Sequence, residues 1–257
     1  MQEEPRGRQS LALSKSTHAF SNREPDGQTR FSNRSWRERI GLKAQDKGLV
    51  FHNLMKNINF DTLHESFKVL DGSKALGVDR TSKKTYQQNL VTNLKDLEAR
   101  VQSGRYRPKP KREVLIPKAN GKTRPIAIAS LEDKIVDKAL GDILTLVYEP
   151  LFIKNSYGYR PRKSAHQAIE ACFRSMEKGT RPHVLEIDFS KFFNTIAHDQ
   201  LMKIVTKRIG DKRFLSLIRR LLTSEVLHAT GELEPNQVGT PRGGIASPIL
   251  SNIYLPY

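Results

Sequence analysis

His183-Val184-Leu185-Glu186-Ile187-Asp188-Phe189-Ser190-Lys191-Phe192-Phe193 sets an acidic side chain at the end of a short apolar run, with a bulky aromatic five residues beyond it. The run predicts a strand over 184–189 that delivers Asp188 to its terminus. A carboxylate there suits Mg²⁺, a hard cation that prefers oxygen ligands. An acid in such a place more often caps the next turn. Phe193 shifts the balance, because an aromatic one turn further on would lie against a sugar and exclude a 2′-hydroxyl by contact. Glu186 shares the strand face with Asp188 and is a further candidate acid, though structural duty is commoner.

Some fifty residues on, the chain reads Gly239-Thr240-Pro241-Arg242-Gly243-Gly244-Ile245-Ala246-Ser247-Pro248. Glycines such as Gly243 let backbone approach a phosphate or base pair closely, and Ser247-Pro248 opens a helix with proline in its first turn. Upstream, Val114-Leu115-Ile116 and Ile126-Ala127-Ile128 flank Asn120-Gly121, which predicts a hairpin. Between residues 101 and 125 stand eight Lys or Arg and one acid, Glu113. Lys118 and Arg124 flank the turn, where long cationic side chains could fold over a triphosphate, Arg as a bidentate fork and Lys as a point charge. Arg105, Arg107, Lys109, Lys111 and Arg112 are candidates for RNA phosphate contacts.

The charge supports this direction. The 257 residues carry 44 Lys and Arg against 27 Asp and Glu, a formal +17 that an acidic partner would screen. Nucleic acid is that partner. No 18-residue apolar run and no N-terminal apolar segment is present, so neither a membrane span nor a secretory leader is expected, and the chain is placed in the cytoplasm. Its one cysteine, Cys172, is expected as a buried thiol on a helix face.

Residues 1–48 read as a mobile basic arm, polar and broken by Pro and Gly. A helix is expected from about Val50 to Leu70 with Asp61 as N-cap, and a second over 83–103. Ser130-Leu131-Glu132-Asp133 resembles a capping box before a long apolar-faced helix that Pro150 ends. Ser164 caps another helix, with Ala168, Ile169, Cys172, Phe173 and Met176 inward and Gly179 at its end. Helices follow at about 200–208 and 214–224, and from Ser247. The order of elements predicts an α+β fold.

Taken together these stretches resemble the reverse transcriptases of bacterial group II introns, which also act as splicing maturases. The likeness runs from about His52 onward through Lys74-Ala75-Leu76-Gly77-Val78-Asp79, Gly104-Arg105-Tyr106-Arg107-Pro108-Lys109-Pro110, Ile116-Pro117-Lys118, Arg124-Pro125-Ile126, Tyr148-Glu149-Pro150, Ser156-Tyr157-Gly158-Tyr159-Arg160-Pro161, the Asp188 segment and Gly239 to Leu255. The resemblance implies a right-hand polymerase with an N-terminal extension and fingers over 49–182 and a partial palm over 183–257, interrupted by a helical fingers segment at about 200–237. It implies that Asp188 and the Phe189 carbonyl bind catalytic Mg²⁺, that Phe193 is the sugar gate, and that Lys118, Arg124, Phe189, Arg242 and Gly243 meet the incoming nucleotide. Implied partners are group II intron RNA, an RNA template, a DNA primer or target, dNTPs and a missing C-terminal segment, in a ribonucleoprotein of a mobile element.

Two departures stand out. Arg242 occupies a place where the family usually has Gln, adding a charge and five donors. The sequence also stops before the family's Tyr-Ala-Asp-Asp turn, thumb and maturase domain, so a two-metal site is expected to be incomplete and the isolated chain inactive as a polymerase. An expressed fragment, a truncated gene product that only binds RNA, and a decayed product that does not fold stably all remain open on these residues.

Overall fold

The computed structural model describes residues 35–117, 121, 123–177, 183–240 and 243–256. In chain order its elements are α1 (Trp36–Lys43), α2 (Phe60–Val69), α3 (Lys83–Gln87), α4 (Leu90–Gln102), β1 (Lys111–Pro117), β2 (Thr123–Ile128), α5 (Leu131–Tyr148), α6 (Ala165–Glu177), α7 (Phe192–Thr195), α8 (His198–Thr206), α9 (Lys212–Leu222), β3 (Val226–Leu227), β4 (Leu233–Glu234) and α10 (Ser247–Tyr254). The fold is α+β, as expected.

α5 is the centre of the core. Its apolar residues recur at three- and four-residue spacing, and Ile135, Val136, Ala139, Ile143, Leu144 and Val147 are wholly buried. α1, α2 and α10 pack on it, while α8 joins α9 to α10. α1 belongs to this body, so the expected arm up to residue 48 is too long. Ser35 and Glu38 form a reciprocal capping box, and Ile40 and Ala44 are buried. Residues 1–34 lie outside the described residues.

Other boundaries shift for local reasons. α2 is capped by Asn59, whose side chain accepts from the Thr62 amide at 3.1 Å; Asp61 sits inside the first turn, where its charge meets the helix dipole. The helix expected over 83–103 breaks in two because Asn89 leaves helical geometry at φ −125°, ψ 38°. Ser130 precedes α5 but makes no capping bond, and Asp133 turns instead to the Tyr106 hydroxyl and, at 3.1 Å, to the Lys109 amide. Ser164 and Gln167 do exchange capping bonds at the start of α6, at 3.0 and 3.3 Å. Gly179 falls outside the described residues.

α6 itself contradicts its expected packing. It has no buried residue; Ile169, Phe173 and Met176 are exposed, and so is Cys172, which is therefore not a buried thiol. The strand expected over 184–189 is likewise absent. Its residues pair with no described segment, and Val184, Leu185 and Ile187 are exposed, because a strand exists only within a ladder.

The hairpin forms as expected, with Val114 opposite Ile126 and Ile116 opposite Arg124, and Gly121 in the turn at φ 74°. Asn120 lies outside the described residues. β1 also pairs in parallel with β3, Lys111 opposite Val226, giving a four-stranded sheet of order β2-β1-β3-β4. β3 and β4 fall inside the segment expected to be helical, since two-residue strands carry no readable period.

Candidate functional site

A cleft of about 710 Å³ opens where Arg124 of β2, Tyr159, Asp188, Phe193 of α7, Gly243 and Pro248 of α10 converge. The chain reaches it by a sharp turn. Lys191, in the left-handed region at φ 52°, ψ 32°, precedes α7 three residues after Asp188, and Asp188, Phe192 and Phe193 all line the cleft. Phe193 meets Tyr159 edge-on, ring centres 6.1 Å apart at 89°, and Phe192 at 6.0 Å; Phe192 in turn packs on Phe189 and Tyr254. These contacts fix the ring of Phe193 as a wall of the cleft.

The backbone of that wall is held from behind. The Thr240 amide donates to the Phe193 carbonyl at 2.7 Å, and the Gly239 amide to the Ile196 carbonyl at 2.8 Å. Buried His198 and Asn236 both bond the Gly239 carbonyl, at 2.7 and 3.1 Å. Gly239 sits at φ 83°, and a Cβ there would stand 2.8 Å from the Asn194 Cα, so no side chain fits. Gly243, at φ 102°, is pressed against β2, where a Cβ would come 3.1 Å from the Ala127 carbonyl oxygen.

The nucleotide residues expected from sequence thus fall in two groups. Arg124, Asp188, Phe189, Phe193 and Gly243 line one cleft; Lys118 and Arg242 lie outside the described residues. Among the described residues Asp188 is the single acid lining the cleft, Glu186 does not reach it, and no three His, Cys, Asp or Glu come together. That donor set, one carboxylate beside the Phe189 carbonyl, falls short of what two shared ions need.

Of the basic residues, Arg105 and Arg107 are exposed, and Lys109 is exposed while paired with Asp79 at 2.9 Å. Arg112 is half-buried and donates to the Leu76 carbonyl at 2.8 Å. Lys111 is different, and its expected phosphate contact does not stand. It is 5% exposed, its ammonium donates to the Leu221 carbonyl at 3.0 Å and the Ser224 hydroxyl at 2.6 Å, and burial lowers its pKa to about 8. An ammonium so enclosed cannot meet a phosphate outside.

Two features carry no sequence signal strong enough to single them out. His228 lies between Glu113 at 3.0 Å and Glu234 at 2.8 Å, and its bond to Glu113 first, then that to Glu234, raises its pKa. Asp137 of α5 accepts from the Ile245 and Ala246 amides at 2.6 and 3.2 Å, and burial raises its pKa.

Residues 116–257 match the family described as reverse transcriptase (RNA-dependent DNA polymerase). Among similar proteins, "Protein YkfC" of Escherichia coli is 36% identical over 219 residues, 82% of this chain and 57% of YkfC. "Group II intron-encoded protein LtrA" of Lactococcus lactis subsp. cremoris is 35% identical over 169 residues, 65% of this chain and 26% of LtrA. The "Putative COX1/OXI3 intron 1 protein" of Saccharomyces cerevisiae is 31% identical over 204 residues, 79% of this chain and 24% of that protein. The chain therefore spans little more than half of the first of these and about a quarter of the others. A chain of the "Partial Cas6-RT-Cas1--Cas2 complex" shares its fold with a TM-score of 0.54 at 20% identity, covering 79% of this chain and 34% of that one.

Proposed function

The chain belongs to the reverse transcriptase (RNA-dependent DNA polymerase) family, and from that premise we propose that it carries the fingers and nucleotide face of a group II intron RNA-directed DNA polymerase. One observation carries the reading: Arg124, Asp188, Phe193 and Gly243, from four separated segments, meet in a single cleft. The roles follow from their chemistry. Arg124 offers a bidentate fork to a triphosphate, Gly243 lets the backbone approach it, and the Phe193 ring bars a 2′-hydroxyl.

Asp188 and the Phe189 carbonyl are the donors these residues would offer to Mg²⁺, which in such enzymes activates the attacking oxygen and neutralises charge on the triphosphate. With one carboxylate in the cleft, binding and orientation of the nucleotide are the steps assigned to the described residues. Exposed Arg105, Arg107 and Lys109 support a second reading, an RNA-binding protein of this family that makes no DNA. Both share partners: structured intron RNA held by Arg105, Arg107 and Lys109, an RNA template with its DNA primer, and a ribonucleoprotein in a bacterial cytoplasm.

Two measurements separate them. RNA affinity should fall steeply with salt, log K dropping by about 0.7 to 0.9 per phosphate neutralised for each unit of log salt, and weaken when Arg105, Arg107 and Lys109 become Ala. A salt-independent affinity would remove the RNA partner from both readings. Primer extension on an RNA template with Mg²⁺ and dNTPs is expected to be absent for the 257-residue chain. Extension that disappears in Asp188→Ala would instead establish the polymerase reading for the chain by itself.

A further inference from the structure

α5 is apolar on its inward face except at Asp133 and Asp137, one turn apart. Asp133 is occupied by Tyr106 and the Lys109 amide. Asp137 bonds to backbone instead: it accepts from the Ile245 amide at 2.6 Å and the Ala246 amide at 3.2 Å. Those amides directly follow Gly243 and Gly244, which line the nucleotide cleft. Next to Gly244 lies a small void lined also by Lys111, Asp133 and Asp137, so Gly244 borders both these charged groups and the cleft.

A carboxylate in such surroundings is expensive to bury, and packing alone would be served as well by Leu. What a carboxylate adds is direction. It satisfies two amides at the start of α10, where Ala246 precedes the helix and has no side-chain cap of its own. Gly243 is meanwhile pressed on β2 from the other side, and Asn252 of α10 donates to the Gly158 carbonyl at 2.9 Å in another cleft-lining loop. The glycine turn is therefore pinned between β2 and α5, and α10 carries the pin to a third wall of the cleft.

We propose that Asp137 is a positioning residue for the incoming nucleotide: it fixes the Gly243-Gly244 turn through the backbone amides that follow it. Lys111 lines the same void, its ammonium held by the Leu221 carbonyl and the Ser224 hydroxyl. The inference rests on the cleft being a nucleotide site. It is independent of Asp188, since Asp137 touches neither metal donors nor the gate.

The test uses the full chain, a fluorescent dTTP analogue with Mg²⁺, and hydrogen exchange at Ile245 and Ala246. The double variant Lys111→Met/Asp137→Leu removes together two charges that line the same void and puts apolar atoms in their place. It should melt no lower than the wild type, exchange the two amides at least about tenfold faster and bind the analogue about tenfold more weakly, the scale of a small misplacement of a binding group. Asp137→Asn, which keeps the shape and one acceptor, should fall between and serves alone if the double variant does not fold. Unchanged exchange, or faster exchange with unchanged affinity, overturns the proposal. Arg124→Ala checks the premise separately: if neither it nor the wild type binds the analogue while exchange still responds to Asp137, the nucleotide reading fails and the anchoring of the turn stands.

Discussion

α5 and α6 are written in the same pattern, apolar residues every three or four positions, and they end in opposite states. α5 buries eleven residues, whereas α6 buries none. Periodicity does not separate them, since both carry an apolar stripe. What differs is company: α1, α2 and α10 lie against α5, while Ile169 and Phe173 of α6 stand 54% and 57% exposed. Residues 184–189 belong with α6, and three of them, Ile187, Asp188 and Phe189, reach the cleft. The molecule thus has a closed half that supplies stability and an open half that meets β2 and α10 at the site. An apolar period states only a capacity for burial; a partner realises it.

The sharpest way to break this contrast is a matched pair of truncations. Leu144→Ala, at a fully buried position, should cost about 3 kcal/mol in urea unfolding, and Phe173→Ala less than about 0.5 kcal/mol. Equal losses would mean that α6 is covered in solution. A second prediction asks whether the open half contains more than loose hydrophobes. In a polymerising form of the protein, Phe193→Ala should shift the dNTP to rNTP ratio of kcat/KM by about thirtyfold, since contact exclusion is worth about 1–3 kcal/mol. A ratio that stays put would make Phe193 another Phe173.

The smallest expected effect concerns the edge of the sheet. His228 has its pKa raised by the Glu113 and Glu234 carboxylates. Its contribution to stability is then present in full below the usual value of about 6.5, as long as the glutamates stay ionised, and is lost as pH rises through the higher folded value. The melting difference between wild type and His228→Gln should follow that window and vanish on the alkaline side. A difference that grows with pH would show that the ring acts by packing.

Much of the site was legible because it depends on residue type close along the chain. Asp188 with Phe193, the Gly243 turn and the Asn120-Gly121 hairpin with Arg124 each announce a local geometry. Lys111 misled because a charge run says nothing of pleat: its neighbour Arg112 reaches only half-burial, while Lys111 is turned inward. Asp137 was hidden for another reason. Its partners are backbone amides more than a hundred residues away, and amides have no signature in sequence. The one available hint was an acid interrupting the apolar face of α5. β3 and β4 are too short for any period, and the expected strand over 184–189 failed for want of a ladder.

β1 has two neighbours of very different origin. β2 follows it after a tight turn, while β3 lies 115 positions later if Lys111 is counted to its partner Val226. Closing a loop of that length carries a larger entropic toll than closing a hairpin, and long-range pairings form late for the same reason. The hairpin should therefore exist as a nascent unit while the chain between it and β3 is still condensing, and the parallel pairing should be among the last steps of assembly. Arg124 would ride on a strand pair that matures early and waits for its place beside Asp188. Folding order, in this chain, would set when the cleft acquires Arg124.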